Sequence, residues 1–243
     1  MTLEEFLALW NDDSPCMEVK TSGSTGVPKR IYIEKVRMRA SARMTCDFLN
    51  LHQGDTALLC MPLDFIAGKM MVVRTLERGL KLLSVEPSSH PLSKTSMAGI
   101  GNPPCIDFAA MVPLQVWNTL QVPEEREALC RIRHLIIGGG AISQALEQEL
   151  RTLPISVWSS YGMTETLSHI ALRRITEECY TPLPGITLSQ DQDGCLIIDA
   201  PHLCPERLFT NDIARFTDDK SFQIIGRRDN TICSGGIKIQ IEE

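Results

Sequence analysis

The sequence predicts an α/β protein in which a doubly wound, mainly parallel sheet carries a small antiparallel β subdomain. Three observations predict it. Short apolar runs alternate with amphipathic helical stripes as far as about residue 170, the signature of βαβ units. One of those runs, "RHLIIGGG", ends in three glycines at a strand-to-helix turn. From Thr176 onward the helical stripes give way to short β runs separated by turn signals such as Asp193-Gly194 and Asp218-Asp219.

The elements follow in order. Val36, Ala40, Met44 and Phe48 recur at four-residue spacing within 34–51, which predicts an amphipathic helix closed by Gly54-Asp55. "TALLCMPL" reads as a buried strand of the kind parallel sheets contain. "GKMMVVRTLER" is helical and stops at Gly79, a C′ glycine, and "LKLLSVEP" returns as a strand ending before Pro87. Residues 86–104, rich in Pro, Ser and Gly, form the longest expected loop. "DFAAMV" is the next strand and Pro113 to Arg131 the next helix. Ile142, Leu146, Leu150 and Leu153 mark a further helix face, and "ISVWSS" is the strand after it. "CLIIDA", "ARFTDD" and "SFQIIG" are the β runs of the subdomain. The expected division is 1–175 for the α/β region, 176–229 for the β-rich subdomain and 230–243 for the start of another domain.

Composition narrows the function. A chain of 243 residues, 43% hydrophobic and 22% charged, can bury a sizeable core. Its net charge of −6 provides no general attraction to nucleic acid or an anionic membrane. Nine cysteines, none in a Cys-x-x-Cys pair, argue against a disulfide framework or zinc knuckle and fit a reducing cytoplasm. The acidic start "MTLEEFLALW" lacks the basic region of a signal peptide, and no apolar run approaches the roughly 18 residues of a membrane span. A cytoplasmic setting is expected, with homo-oligomerisation left open.

Four stretches carry chemistry. In "TSGSTGVPKR", the small residues Thr21, Ser22, Gly23, Ser24, Thr25 and Gly26 offer backbone N–H groups and hydroxyls to an anion, and Lys29 offers the counter-charge. The order differs from the Walker A pattern, because no Ser or Thr follows the lysine. The alternative is an ordinary Gly/Ser turn. Gly138, Gly139 and Gly140 lie at the carboxyl end of a strand, where open α/β sheets bind ligands, although a tight βα turn needs the same glycines. "YGMTET" sets a stacking face at Tyr161 beside Gly162, a hydroxyl at Thr164 and a carboxylate at Glu165. One carboxylate alongside phosphates is the environment Mg²⁺ prefers, against the alternative of a core Tyr and a solvated Glu. Asp212 in "TNDIARF" can accept two hydrogen bonds from a ribose diol and Arg227 can donate to the same sugar; a turn Asp and a surface Arg are the alternative.

Taken together and in order, Thr21–Lys29, Tyr161–Glu165, Asp212 and Gly226–Lys238 resemble the motifs of the adenylate-forming superfamily of acyl- and aryl-CoA ligases, luciferases and adenylation domains. The resemblance covers almost the whole chain. Within it, "PLDFIAGKMMVVRTL" and "YGMTETLSHIALR" are similar to the o-succinylbenzoate–CoA ligases of menaquinone biosynthesis. The resemblance implies ATP, Mg²⁺ and coenzyme A as cofactors and a small carboxylic acid as substrate. It implies that the 21–26 loop and Lys29 hold the β- and γ-phosphates, and that Gly138–Gly140, Tyr161 and Gly162 border the adenine. Thr164 would meet the α-phosphate, Glu165 the metal, and Asp212 and Arg227 the ribose. Lys29, Thr164 and Glu165 are thus the expected catalytic groups, and Asp229 matches the hinge of a mobile C-terminal domain. An o-succinylbenzoate has a second carboxylate, for which Lys69, Arg74, Ser168 and His169 are the candidate partners. Two departures stand out. Phe65 occupies a position where the family often has histidine, and the chain stops at "KIQIEE", where the small domain carrying the family's adenylation lysine would begin. The expectation is the large N-terminal domain of a longer ligase. Other readings are a relative activating another aryl acid or an amino acid, with Asp64 facing an amine, and a nucleotide-binding module without catalysis.

Overall fold

The computed structural model describes residues 1–20, 30–101, 105–217, 221–234 and 237–240. Helix α1 (Leu3–Asn11) opens the chain. Thr2 caps it: the Thr2 hydroxyl accepts from Glu5 N at 3.1 Å and the Glu5 carboxylate accepts from Thr2 N at 2.7 Å. Strands β1 (Cys16–Lys20) and β2 (Arg30–Glu34) then pair antiparallel, with Lys20 opposite Arg30. The expected anion loop, Thr21 to Lys29, falls between them and outside the described residues.

The large sheet holds β3 (Thr56–Leu59), β4 (Lys81–Ser84), β5 (Ile106–Met111), β6 (Ile132–Ile137), β7 (Ser156–Gly162), β8 (His169–Arg174) and β9 (Thr181–Pro182). Their order in space is β4-β3-β5-β6-β7-β8-β9; the first five are parallel and the last two antiparallel. The chain runs outward from β3 to β4 and returns to the other side of β3 at β5. With right-handed crossovers, that reversal puts the β3–β4 and β5–β7 connections on opposite faces, which is the doubly wound arrangement. Helix α2 (Lys35–Phe48) precedes β3 and packs on α3 (Ile66–Arg78), the β3–β4 crossover. A single turn, α4 (Lys94–Met97), interrupts the expected 86–104 loop. Helices α5 (Pro113–Leu120) and α6 (Pro123–Leu129) connect β5 to β6, and α7 (Gln144–Leu150) connects β6 to β7. Leu58, Phe108, Leu135, Met70 and Met71 are wholly buried in the resulting core.

The β-rich part is an antiparallel sheet in the order β10 (Thr187–Gln190), β11 (Cys195–Asp199), β12 (Leu208–Phe216), β13 (Phe222–Arg227). It is tied to the large sheet by Tyr180, whose backbone pairs with Phe222 at 2.7 and 3.0 Å. A hairpin of β14 (Thr231–Ser234) and β15 (Ile237–Gln240) follows. The turn residues Asp218 and Asp219, and Gly235-Gly236, lie outside the described residues.

Two elements differ from expectation. The buried face of α2 is Met38, Ser41, Ala42, Thr45 and Cys46, whereas Val36 is 62% exposed. The apolar four-residue row lies at the margin because the true core face includes two hydroxyl residues, which apolar periodicity passes over. The single helix expected over Pro113–Arg131 is two helices, because Pro123 has no N–H to continue the first one and takes the N1 position of the second. Among the described residues no helix is long and apolar enough to cross a membrane. Cys16, Cys46, Cys60, Cys105, Cys130, Cys179, Cys195 and Cys204 are free thiols.

Candidate active site

The carboxyl ends of β6 and β7 lie side by side. Their register pairs Ile137 with Ser159, so the Gly138–Gly140 turn follows next to Ser160 and Tyr161. Ser160 Oγ donates to Ile137 O at 3.1 Å, and a Cβ at position 138 would stand 2.3 Å from that hydroxyl. The turn is therefore held tightly against β7 by the absence of a side chain.

Tyr161 sends its hydroxyl across to the small sheet, where it donates to Asp212 Oδ2 at 2.7 Å. Its ring meets Phe222 edge-on at 5.6 Å and Tyr180 at 6.1 Å. Burial, followed by the adjacent Asp212 charge, pushes the phenol pKa well up, so Tyr161 stays a donor at physiological pH. Asp212 lies on β12 opposite Arg227 of β13, and Arg227 Nη1 donates to Asp212 Oδ1 at 2.8 Å. Each oxygen of this buried carboxylate thus has one donor and keeps capacity for another. Arg227 Nη2 and Asn211 Nδ2 both reach Asp229 Oδ2, at 3.3 and 3.0 Å, and Arg228 Nη2 reaches Asn211 Oδ1 at 2.6 Å. Asp212, Arg227 and Asp229 therefore form one network, to which Asn211 is an addition that the sequence did not single out.

Beyond Gly162 the chain makes a tight reversal into β8. Thr164–Thr166 form one 3₁₀ turn, with Thr164 half-buried and Glu165 exposed. Neither side chain has a hydrogen-bonding partner among the described residues. The buried Thr166 hydroxyl accepts from Met163 N at 3.0 Å and donates to Ser168 O at 2.7 Å, closing the turn. Leu167 is buried at φ 66°, a conformation that bulky residues avoid. Gly162 is required here: a Cβ would stand 2.3 Å from Ser168 O and 2.6 Å from His169 Cα.

That reversal delivers Ser168 and His169 to Arg74 on α3. Arg74 Nη2 donates to Ser168 Oγ at 2.5 Å, Ser168 Oγ lies 3.2 Å from His169 Nδ1, and His169 Nε2 lies 3.0 Å from Thr45 Oγ1 on α2. Arg74 is 3% exposed, and its buried Nε has no hydrogen-bond partner among the described residues. Burial lowers its pKa to about 10, which still leaves it charged at neutral pH. Burial and then the Arg74 charge hold the His169 pKa well below the usual imidazole value.

Lys69 is not part of this cluster. Arg74 follows it by five positions, about 140° around a helix, so the two leave α3 on different sides. Lys69 is buried against α1, with Nζ 2.8 Å from Leu63 O, 3.4 Å from Met1 Sδ and 6.0 Å from the Phe6 ring. Of the four residues expected to meet the second carboxylate, Arg74, Ser168 and His169 are in contact with one another and Lys69 lies apart from them. Asp64 accepts from the Met1 ammonium at 3.3 Å, and Phe65 is 48% exposed at the start of α3. Thr45 was missed because no local pattern connects it to a strand 124 residues later.

The sequence profile of the AMP-binding enzyme family matches residues 7–205. The chain is 28% identical to the 2-succinylbenzoate–CoA ligase of Haemophilus influenzae, with 94% of this chain and 52% of that protein covered. Against the Escherichia coli enzyme of the same name the identity is 25%, covering 97% and 53%. The chain spans about half the length of these curated relatives. Among solved structures, an acyl-CoA synthetase (AMP-forming)/AMP-acid ligase II-like protein from Dyadobacter fermentans superposes with a TM-score of 0.84 at 37% identity, covering 97% of this chain and 67% of that one. The Bacillus subtilis o-succinylbenzoate CoA synthetase, solved with ATP and magnesium, has the same fold, with a TM-score of 0.76 at 22% identity over 91% of this chain and 52% of that one. The chain belongs to the AMP-binding family of adenylate-forming enzymes.

Proposed function

We propose that this chain is the ATP- and acid-binding part of an AMP-forming acid–CoA ligase whose acid is an o-succinylbenzoate-type aryl diacid. The observation that carries the nucleotide half is the Tyr161–Asp212–Arg227 network beside the Gly138–Gly140 turn. It sets a ring face, a diol acceptor and a cation at the carboxyl end of a parallel sheet, where such folds take ligands. The diacid half is supported by Arg74, a buried cation whose Nε–H lacks a partner among the described residues. A buried charge in that state is costly unless an anion meets it. The names of the curated relatives point to the same substrate.

Under this reading the substrate carboxylate attacks the α-phosphorus of ATP, forming an O–P bond as the bond to pyrophosphate breaks. The coenzyme A thiol then attacks the acyl carbon and AMP departs. Both half-reactions bring anions together, so positioning and charge neutralisation supply most of the catalysis. Asp212 and Arg227 fix the ribose, Thr164 orients the α-phosphate, and Lys29 with the 21–26 loop meets the β- and γ-phosphates. Glu165 has an exposed carboxylate with no hydrogen-bonding partner among the described residues, which fits a magnesium ion held by one carboxylate and the substrate phosphates. Such an ion, when bound, would neutralise phosphate charge during the attack.

The test is calorimetric titration of this chain with two sulfamoyl-adenylates, one of 2-succinylbenzoate and one of 4-oxo-4-phenylbutanoate, which lacks the ring carboxylate. Tighter binding of the diacid compound supports the proposal. Equal binding removes the diacid, and binding of neither removes the nucleotide site.

A further inference from the structure

The Arg74–Ser168–His169–Thr45 chain has a direction that can be assigned proton by proton. A guanidinium has donors only, so Ser168 Oγ is the acceptor of Arg74 Nη2 at 2.5 Å. Thr45 stands one turn after Ser41 on α2, and its hydroxyl donates to Ser41 O at 3.2 Å, the back-bond a helical Thr forms with the preceding turn. With that proton committed, Thr45 Oγ1 can only accept from His169 Nε2 at 3.0 Å, so Nε2 carries a hydrogen. A second proton on the ring would place two cations side by side in the interior, since His169 is 7% exposed and Arg74 3%. His169 is therefore neutral and its Nδ1 bare. The Ser168 hydroxyl, 3.2 Å away, donates to it. Every hydrogen bond points one way, from Arg74 to the Ser41 carbonyl.

This accounting leaves neither Ser168 nor His169 a proton to offer a substrate, which changes the role expected for both. We propose that His169, supported by Thr45, is a positioning residue that draws the Ser168 proton away from Arg74 and so locks Ser168 as an acceptor, holding the guanidinium with its Nε–H directed to the ring carboxylate of an aryl diacid. The carboxylate clause rests on the function proposed above, and the hydrogen-bond direction does not. If the imidazole carried its proton on Nδ1, Ser168 would accept from two sides and its own proton would have no place in the cluster. Thr45, on a different helix, thus helps set how Arg74 presents itself.

Two measurements test this on the 243-residue chain. The first is ¹⁵N NMR of histidine-labelled protein at pH 7, with His169 assigned by its loss in His169→Asn. A bare Nδ1 and protonated Nε2 are expected, relaxing toward a mixture in Thr45→Val, which removes the Nε2 acceptor while keeping shape. A protonated Nδ1 in the native protein overturns the proposal. The second compares the sulfamoyl-adenylates of 2-succinylbenzoate and 4-oxo-4-phenylbutanoate. Thr45→Val and His169→Leu should each lose about tenfold of the preference for the diacid, the scale of one misplaced charge-assisted hydrogen bond. AMP affinity should not change. His169→Asn, which keeps an acceptor near the Nδ1 position, should recover most of the preference. Undiminished preference in Thr45→Val and His169→Leu overturns the positioning role. A native chain that shows the expected tautomer but no diacid preference upholds the hydrogen-bond direction and overturns the carboxylate clause together with the diacid reading.

Discussion

In the proposed site Tyr161 would do two jobs from one position: its ring would border the base while its hydroxyl, which donates to Asp212, orients the carboxylate proposed to take the ribose. Tyr161→Phe keeps the ring and removes the hydroxyl. AMP affinity should fall by roughly tenfold, within the range for a hydrogen bond to a charged group, and 3′-deoxy-AMP should lose less. Equal losses for both nucleotides would contradict the coupling. Glu165→Gln should weaken magnesium-dependent ATP binding to this chain by about tenfold or more, the scale of a lost charged contact, with an unchanged Tm, and unaltered binding would remove Glu165 from the phosphate site. His169 predicts a pH effect whose sign is fixed. Its folded pKa lies below the ordinary 6.5, so the unfolded chain binds the proton more readily. Its contribution is full above about pH 6.5 and is lost as the pH falls below that value, with a slope of at most about 1.4 kcal/mol per pH unit. His134, lowered by burial and then by Arg133, acts in the same window. Denaturant melts between pH 7.5 and 5 should therefore flatten in His169→Asn without becoming level.

At the scale of elements, two close approaches hold the site in place. Gly162 lets the start of β8 close on the end of β7, and Gly68 lets α3 sit on Pro62, where a Cβ would stand 2.3 Å from the carbonyl oxygen. In both cases the obstacle is backbone. Gly162→Ala and Gly68→Ala should each cost roughly 1–3 kcal/mol, or about 2–4 °C in Tm per kcal/mol at this size. Gly162→Ala should also weaken the Arg74–Ser168 contact, visible as reduced diacid preference, whereas an unchanged Tm would show that the backbone shifts freely. Strands β3 to β7 and β11 to β13 were legible because each holds a short apolar run closed by turn residues, and α3 because its last turn meets Gly79 at φ 66°. The true face of α2 was not, since Ser41 and Thr45 are buried through hydrogen bonds that hydrophobic spacing does not register. The short strands β8 to β10 were missed for another reason: their pairing depends on partners that local sequence does not name. The stretches proposed to meet the nucleotide stand out in the sequence, but no local pattern separates Lys69 from Arg74, which the structure places in different surroundings.

Across the whole molecule, the residues proposed to bind nucleotide come from two sheets. Tyr161 belongs to the large one, with the Gly138–Gly140 turn just beyond its strand β6, Asp212 and Arg227 belong to the small one, and the contacts of Tyr161 and Tyr180 with Phe222 join them. With a net charge of −6, the attraction for a nucleotide must be local, supplied by oriented donors rather than by an overall field. The central claim is that these two sheets form an adenylate site centred on Asp212. Isothermal titration of AMP and of 2′,3′-dideoxy-AMP into this chain and into Asp212→Ala tests it most directly. The account predicts that the native chain prefers AMP and that Asp212→Ala binds AMP about ten- to a hundredfold more weakly, with the preference over the dideoxy nucleotide abolished. Retention of that preference by Asp212→Ala, or the same loss for both nucleotides, would contradict it.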